Sequence, residues 1–327
     1  MSSKSSNRVA LAVRSETTQN TAHIIGAADF LLVKIPTYEM VVEKLKRDFG
    51  HTSWDPLPFV SGKVYQKLDF AMHMKGSGVL NTAYGPLHAA LQMMGFVPSG
   101  GSAADWVFNQ NSSPISQMLG AATSATIEGI FDGIFHLLPG CIASGKMTLT
   151  PGEMVELALS CQGIYAAVTD FAGWPASPTQ TVNSLQAPIF QNASILIDNM
   201  TFEVKKIEID FGQKVELIED GNAPYGIAGF RITGRDPKVT LSIAEAAIAT
   251  YDCWGKYVSS AGLITAGNGL TFNIGSAQYN KFSIAMPSLQ IETLKRSNVK
   301  GIQCLDLGCQ VNQNTGDDSI VITVNNS

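Results

Sequence analysis

Asp69 and His73 are the pair of side chains best spaced for chemistry. They stand four residues apart in an alternating stretch, so both leave the same face of a strand. A carboxylate and an imidazole on one face could pass a proton or hold a metal ion. Either task needs a third group, and none stands beside them at strand spacing, so solvated surface residues are the simpler account. The other histidines, His23, His51, His88 and His136, are scattered singly. The five cysteines (Cys141, Cys161, Cys253, Cys304, Cys309) contain no C-x-x-C pair. Cys304 and Cys309 fall on opposite phases of one strand and cannot bridge easily. No phosphate loop, dinucleotide fingerprint, zinc signature or nucleophile elbow occurs. Asn111, Asn192 and Asn199 head Asn-x-Ser/Thr triplets, which are idle without secretion. The expectation is a protein that is not an enzyme, with no catalytic residue, no metal site and no cofactor.

The elements that would position any site are mostly strands. Lys63–Lys75 alternates most cleanly: Val64, Gln66, Leu68, Phe70, Met72 and Met74 point one way. Lys63, Tyr65, Lys67, Asp69, His73 and Lys75 point the other, which predicts a half-buried strand with one wet face. Lys63, Lys67, Asp69 and Lys75 are the candidate wet-face residues, solvated or lining something large and aqueous. Tyr84-Gly85-Pro86 then opens a helix with Leu87, Leu91 and Met94 in a stripe, stopped at Gly95. Gly100–Ser124 is loop-like, and Ala125–Cys141 and Met147–Gln162 are expected as strands.

A shift of 148 positions carries Pro139 onto Pro287 and Cys161-Gln162 onto Cys309-Gln310, with Leu157 and Leu159 landing on Leu305 and Leu307. The alternation stays in phase through Ile134–Gln162 and Phe282–Val324. A slip of one residue would turn every core side chain outward. One β unit is therefore used twice, with Leu157, Leu159, Cys161, Leu305, Leu307 and Cys309 as the candidate repeat core. The cysteines among them act as small hydrophobes in a reducing compartment. In the second half Phe202–Phe211, Val215–Leu217, Val239–Ile243, Leu270–Ile274, Phe282–Met286, Cys304–Cys309 and Ser319–Val324 are expected as strands, and Ala244–Val258 as a helix.

The expected fold is mainly β: two tandem β-sandwich or partly open barrel units, each with one flanking α-helix. Residues 1–50 form an N-terminal arm with little core, packing on the first unit or on a neighbouring subunit. Residues 51–170 form the first unit, 171–188 a Pro-rich linker and 189–327 the second unit. The chain has 327 residues, 45% hydrophobic and only 15% charged, so much of its surface is neutral and fit to be covered by partners. A net charge of −5 argues against a protein that grips nucleic acid, but not against one that DNA passes without sticking. Met1–Asn7 is polar and Val9–Val13 is too short for a leader, and no apolar run is long enough to span a bilayer. Synthesis in a cytoplasm without membrane insertion is expected.

Several short words resemble the major tail tube protein of long, non-contractile (siphovirus-like) bacteriophage tails, in its two-domain form. They are Ala10–Thr18, a short strand ending in Glu-Thr; Lys67–Gly78 running into Gly85-Pro86-Leu87; Gly140–Tyr165 with Leu-Ala-Leu-Ser-Cys-Gln-Gly; Gly234-Arg235-Asp236-Pro237; and Asp317–Val324. The resemblance implies a tail-tube fold in which three two-unit subunits make a pseudo-hexameric ring, and rings stack into a tube. The chain would then be a self-assembling structural virion protein, a homotrimer in the phage tail made in the host cytoplasm. Its partners would be itself and the tape measure, tail terminator and distal tail proteins. Double-stranded DNA would pass through on ejection without specific binding, past a wet face made negative by strands such as Glu203–Glu219. The alternatives are a low-copy tail ring component, or a β-sandwich surface module binding carbohydrate or a receptor on the virion.

Overall fold

A computed structural model describes residues 8–26, 29–47, 49, 52, 55–78, 85–100, 105–110, 112, 124–171, 186–259, 263–264 and 269–325. The polar tail Ser2–Asn7 and most of the Pro-rich linker lie outside the described residues. The fold is a mainly-β sandwich. The first half runs β1 (Val9–Ser15), β2 (Phe30–Leu31), β3 (Thr37–Leu45), β4 (Val60–His73), α1 (Gly85–Met93), β5 (Phe96–Gly100), β6 (Trp106–Gln110), β7 (Ala125–Phe131), β8 (Ile134–Leu149), β9 (Glu156–Ile164) and β10 (Thr169–Asp170). The second runs β11 (Leu196–Ile197), β12 (Met200–Thr201), β13 (Val204–Asp210), β14 (Gln213–Glu219), β15 (Ile227–Arg235), β16 (Lys238–Ala244), α2 (Cys253–Ser259), β17 (Leu263–Ile264), β18 (Leu270–Ile274), β19 (Lys281–Met286), β20 (Ser288–Val299), β21 (Ile302–Asn312) and β22 (Val321–Asn325).

Eight strands pair in the order β3, β4, β9, β8, β13, β16, β21, β20, four from each half. Their apolar faces bury Leu68, Phe70, Leu157, Leu159, Leu241, Leu305 and Leu307 in one core cluster that spans both halves. Pro139 and Gly140 let β8 leave this sheet: its first residues pair with β7 and β10 instead. Its later residues hydrogen-bond β9. Where Pro139 bends one continuous strand, Pro287 separates β19 from β20. The layer opposite holds β12, β11, β18, β19, β22, β6 and β5.

Several expectations need correction. Met147–Gln162 is not one strand: β8 ends at Leu149 and β9 begins at Glu156. Ala244–Val258 is not one helix: β16 runs to Ala244, and α2 begins only after Asp252, whose carboxylate accepts the Gly255 N–H at 2.7 Å. The Ala-rich residues between have helix-forming composition but no apolar stripe for the core to hold. Ala125–Cys141 is two strands, because Asp132 (φ 45°) and Gly133 (φ 86°) make a tight hairpin turn. Trp106–Gln110, within the stretch Gly100–Ser124 expected as loop, is a strand that pairs with Phe96–Gly100 just before it; 113–123 lie outside the described residues. The amino-terminal segment is not poor in core: Leu11, Ala12 and Val13 are fully buried where β1 pairs with β7.

Helix α1 buries Leu87 and Leu91 beneath the sheet, and Met94, just past its end, is buried with them. His88, at its edge, meets the rings of Trp106 and Phe108 edge-on, and this burial holds its pKa below the usual 6.5. His136, between Tyr38 and Phe131, shifts the same way for the same reason. A histidine that resists protonation only when folded gives stability that is present above the unfolded value of about 6.5 and is lost as pH falls below it, through the depressed folded value. The midpoint of thermal unfolding should therefore drop between pH 7 and pH 5. His88→Phe should flatten that slope, as melting curves across the range would record.

Candidate assembly interface

The residues spaced for chemistry do not converge. Asp69 accepts the Ser160 hydroxyl at 2.6 Å, and His73 faces Glu156, itself paired with Lys34. Among the described residues, no three His, Cys, Asp or Glu side chains gather as a metal set. All five cysteines are free and buried, and burial raises the thiols of Cys141, Cys161, Cys253 and Cys309, Cys253 to about 11 and Cys309 to about 12. The folded chain should react with a thiol reagent at pH 8 far more slowly than the same chain in denaturant.

Lys63, Lys67 and Asp69 share the outward face of β4, with Lys67 Nζ over the Tyr65 ring. Lys75 lies past the end of that strand, lining a crevice with His88 and Trp106, where burial lowers its pKa. It does not join the row. Across the eight strands the outward face interleaves charges: Glu39 beside Lys67, then Lys146, Asp210 and Lys238 in one cross-strand row, and Asp306 beside Lys295. Glu208 and Asp210 are on this face, but Lys206 and Lys146 neutralise them at 2.5 and 2.8 Å. The face is polar and balanced, not uniformly negative. Leu157, Leu159, Cys161, Leu305, Leu307 and Cys309 all lie on the opposite, buried face.

The two four-stranded halves of the sheet are the same object. A shift of 171 positions carries the Tyr38–Leu68 and Glu39–Lys67 pairs onto Ile209–Val239 and Asp210–Lys238. The same shift carries Val42–Val64 and Leu45–Val60 onto Gln213–Arg235 and Glu216–Arg231. With the 148 shift applied to β9, the pairs Leu68–Cys161, Phe70–Leu159 and Met72–Leu157 become Val239–Cys309, Leu241–Leu307 and Ile243–Leu305. Ala143–Cys161 becomes Ile291–Cys309, after which one extra residue, Glu292, bulges out of β20.

Inside the chain the halves join by strand pairing. Met147 lies opposite Ile209, and Lys146 opposite Asp210. The equivalents of these joining strands are β20 and β3, at the two ends of the sheet. Beyond the two residues that β17 covers, β20 has no partner on that side among the described residues; the outer edge of β3 is likewise unpaired. Around β3 the apolar side chains Leu32, Ile35, Met40 and Leu45 are exposed, and near β20 so are Tyr257, Val258, Leu263 and Ile302. Unpaired strand edges flanked by apolar surface are what a neighbouring chain covers. Sequence reasoning missed β20 because its outward residues are charged and polar. The 171 shift left faint signals, Val33-Lys34 against Val204-Lys205 and Phe59 against Phe230.

No protein-family model matches this chain, and no curated protein does either.

Proposed function

We propose that this chain is a structural protein whose copies join end to end into closed rings that stack as a tail tube through which DNA passes. One observation carries the reading: the eight-stranded sheet is two equivalent halves joined in register, and it ends in the same two edges that join in its middle. A second copy can repeat the internal junction, β20 against β3, and a ring that closes in this way leaves no edge exposed. The resemblance to tail tube proteins supplies six units, hence three chains and a barrel of twenty-four strands. The balanced polar face would line the lumen. With acids and lysines alternating, it offers phosphate no basic track to bind. Tape measure, terminator and distal tail proteins would meet the tube at its core and ends, in the virion.

Negative-stain microscopy and mass measurement on concentrated protein test this. Tubes, or rings of three times 34.9 kDa, are the expected result. A chain that stays at single mass, and does not join tubes when co-expressed with other tail components, would overturn the reading.

A further inference from the structure

The hairpin made by β13–β14 and β15–β16 bends sharply at Gly212 and Pro237. Gly212 has φ +64°, and a Cβ there would collide with the Asp236 carbonyl, so only glycine permits the bend. Beyond the bend, the hairpin lies over the first half of the chain. Phe230 is fully buried there, its ring 5.6 Å from that of Tyr65, and Tyr225 meets Tyr165 at 5.3 Å. Lys63 Nζ binds Glu219 at 2.5 Å, while Gln19 and Asn20 donate to the Phe230 and Ala228 carbonyls. The seat is built from the start of β4 and the residues that end β9.

Among the described residues, nothing lies over the equivalent positions of the second half. Residues 231–237 and 310–313 are the repeat equivalents of 60–66 and 162–165, and, Asp236 apart, they line an open groove of about 760 Å³. Arg231 and Arg235 stand in it. Arg235 is paired with Asp317 at 2.9 Å but keeps one buried nitrogen, Nη1, without a partner among the described residues. The equivalent of the seated hairpin is the outer end of β3–β4. Phe59, which the 171 shift places on Phe230, is 53% exposed, with Leu45 at 47% and Val60 at 50% beside it. Glu43, whose carboxylate lies 3.9 Å from Lys63 Nζ of its own chain, brings a negative charge to the same tip.

We infer that this groove receives the β3–β4 hairpin of a second copy, with Phe59 as the anchor and Glu43 turned toward the groove arginines. The inference rests on the ring reading and identifies what each chain inserts into the next. It follows from repeat equivalence: one strand pair both continues the sheet and, further out, covers the neighbouring half. Inside one chain both contacts are already made.

The test pairs Phe59→Cys with Gln313→Cys, both exposed positions, and uses a short bismaleimide; the native thiols are buried. Cross-linked chains should form in assembled material and not in dilute monomer. Phe59→Ser should leave monomer melting unchanged and weaken assembly about tenfold or more. A second pair, Glu39→Cys with Lys295→Cys, reports the strand junction independently. If that pair links chains while Phe59/Gln313 does not, the groove inference fails and the ring reading stands. If neither pair links chains, both fail.

Discussion

Lys295→Glu should block assembly, and adding Glu39→Lys to the same chain should restore it. The expectation comes from the internal junction, where Lys146 Nζ and Asp210 Oδ2 are 2.8 Å apart across the β8–β13 pair. The register equivalences carry Lys146 to Lys295, since Lys146 faces Ala158 and Lys295 faces Asp306, one repeat apart. They carry Asp210 to Glu39, since these face Lys238 and Lys67. Both Glu39 and Lys295 are exposed, and neither has an ion-pair partner among the described residues. Between copies they would lie opposite each other. Replacing that attraction by like charges costs about 1 kcal/mol at each strand junction. A three-chain ring has three junctions, so the loss is about 3 kcal/mol, more than a hundredfold in the ring-formation constant. Raising salt should shrink the defect, because the pair is exposed. Equal assembly of Lys295→Glu and the unmodified chain, by sedimentation at low salt, would show the register to be wrong.

Glu16→Ala should be the most damaging single change to the folded monomer. Glu16 is 4% exposed, yet its carboxylate has a full set of donors. The Gly140 N–H donates at 2.8 Å, Thr126 Oγ1 at 2.8 Å, Ser124 Oγ at 2.6 Å and the Asn20 N–H at 2.9 Å. Gly140 presents its N–H from φ +65°, a conformation that suits glycine, at the point where β8 crosses between layers. Removing the carboxylate leaves its buried donors without their acceptor, a loss of about 3–5 kcal/mol in all. Glu16→Gln keeps the shape but turns one acceptor into a donor facing donors, and should cost about 2 kcal/mol. The loss also reaches the hairpin seat, because Glu16 fixes the turn from which Gln19 and Asn20 hold the hairpin backbone. Chemical denaturation compares the three proteins directly; a loss under about 1 kcal/mol for Glu16→Ala would contradict this account of the carboxylate.

Much of the sheet was legible in the sequence where one face is buried and the other wet. Strand β4 alternates because Leu68, Phe70 and Met72 enter the core while Lys67 and Asp69 do not. The Leu-x-Leu-x-Cys segments of β9 and β21 repeat because the same layer covers both. What stayed hidden has physical reasons. The first hairpin of each unit repeats in backbone register but hardly in residue type: one outer half is bent at Gly212 onto the chain itself, and the other extends outward. Different neighbours select different side chains, so Glu216 and Arg231 stand where Leu45 and Val60 do. Strand β20 lacks alternation beyond Ile291 because that part packs on little but its partner strand. The helix expected over Ala244–Val258 was misjudged by composition, since alternation of Val239, Leu241 and Ile243 continues the strand into Ala244. The candidate interface was the least legible part, because strand pairing between halves is a backbone contact that leaves few marks on side chains.

The central claim is that β20 of one chain pairs with β3 of the next in the register of the internal junction. Disulfide trapping of Glu39→Cys with Lys295→Cys measures this most directly, since residues opposite each other in an antiparallel pair lie about 4.5–5.5 Å apart, within disulfide reach. On a non-reducing gel, oxidised assemblies should resolve as a covalent ladder ending at three chains, and neither single variant should give it. Assemblies that oxidise without linking chains would contradict the claim.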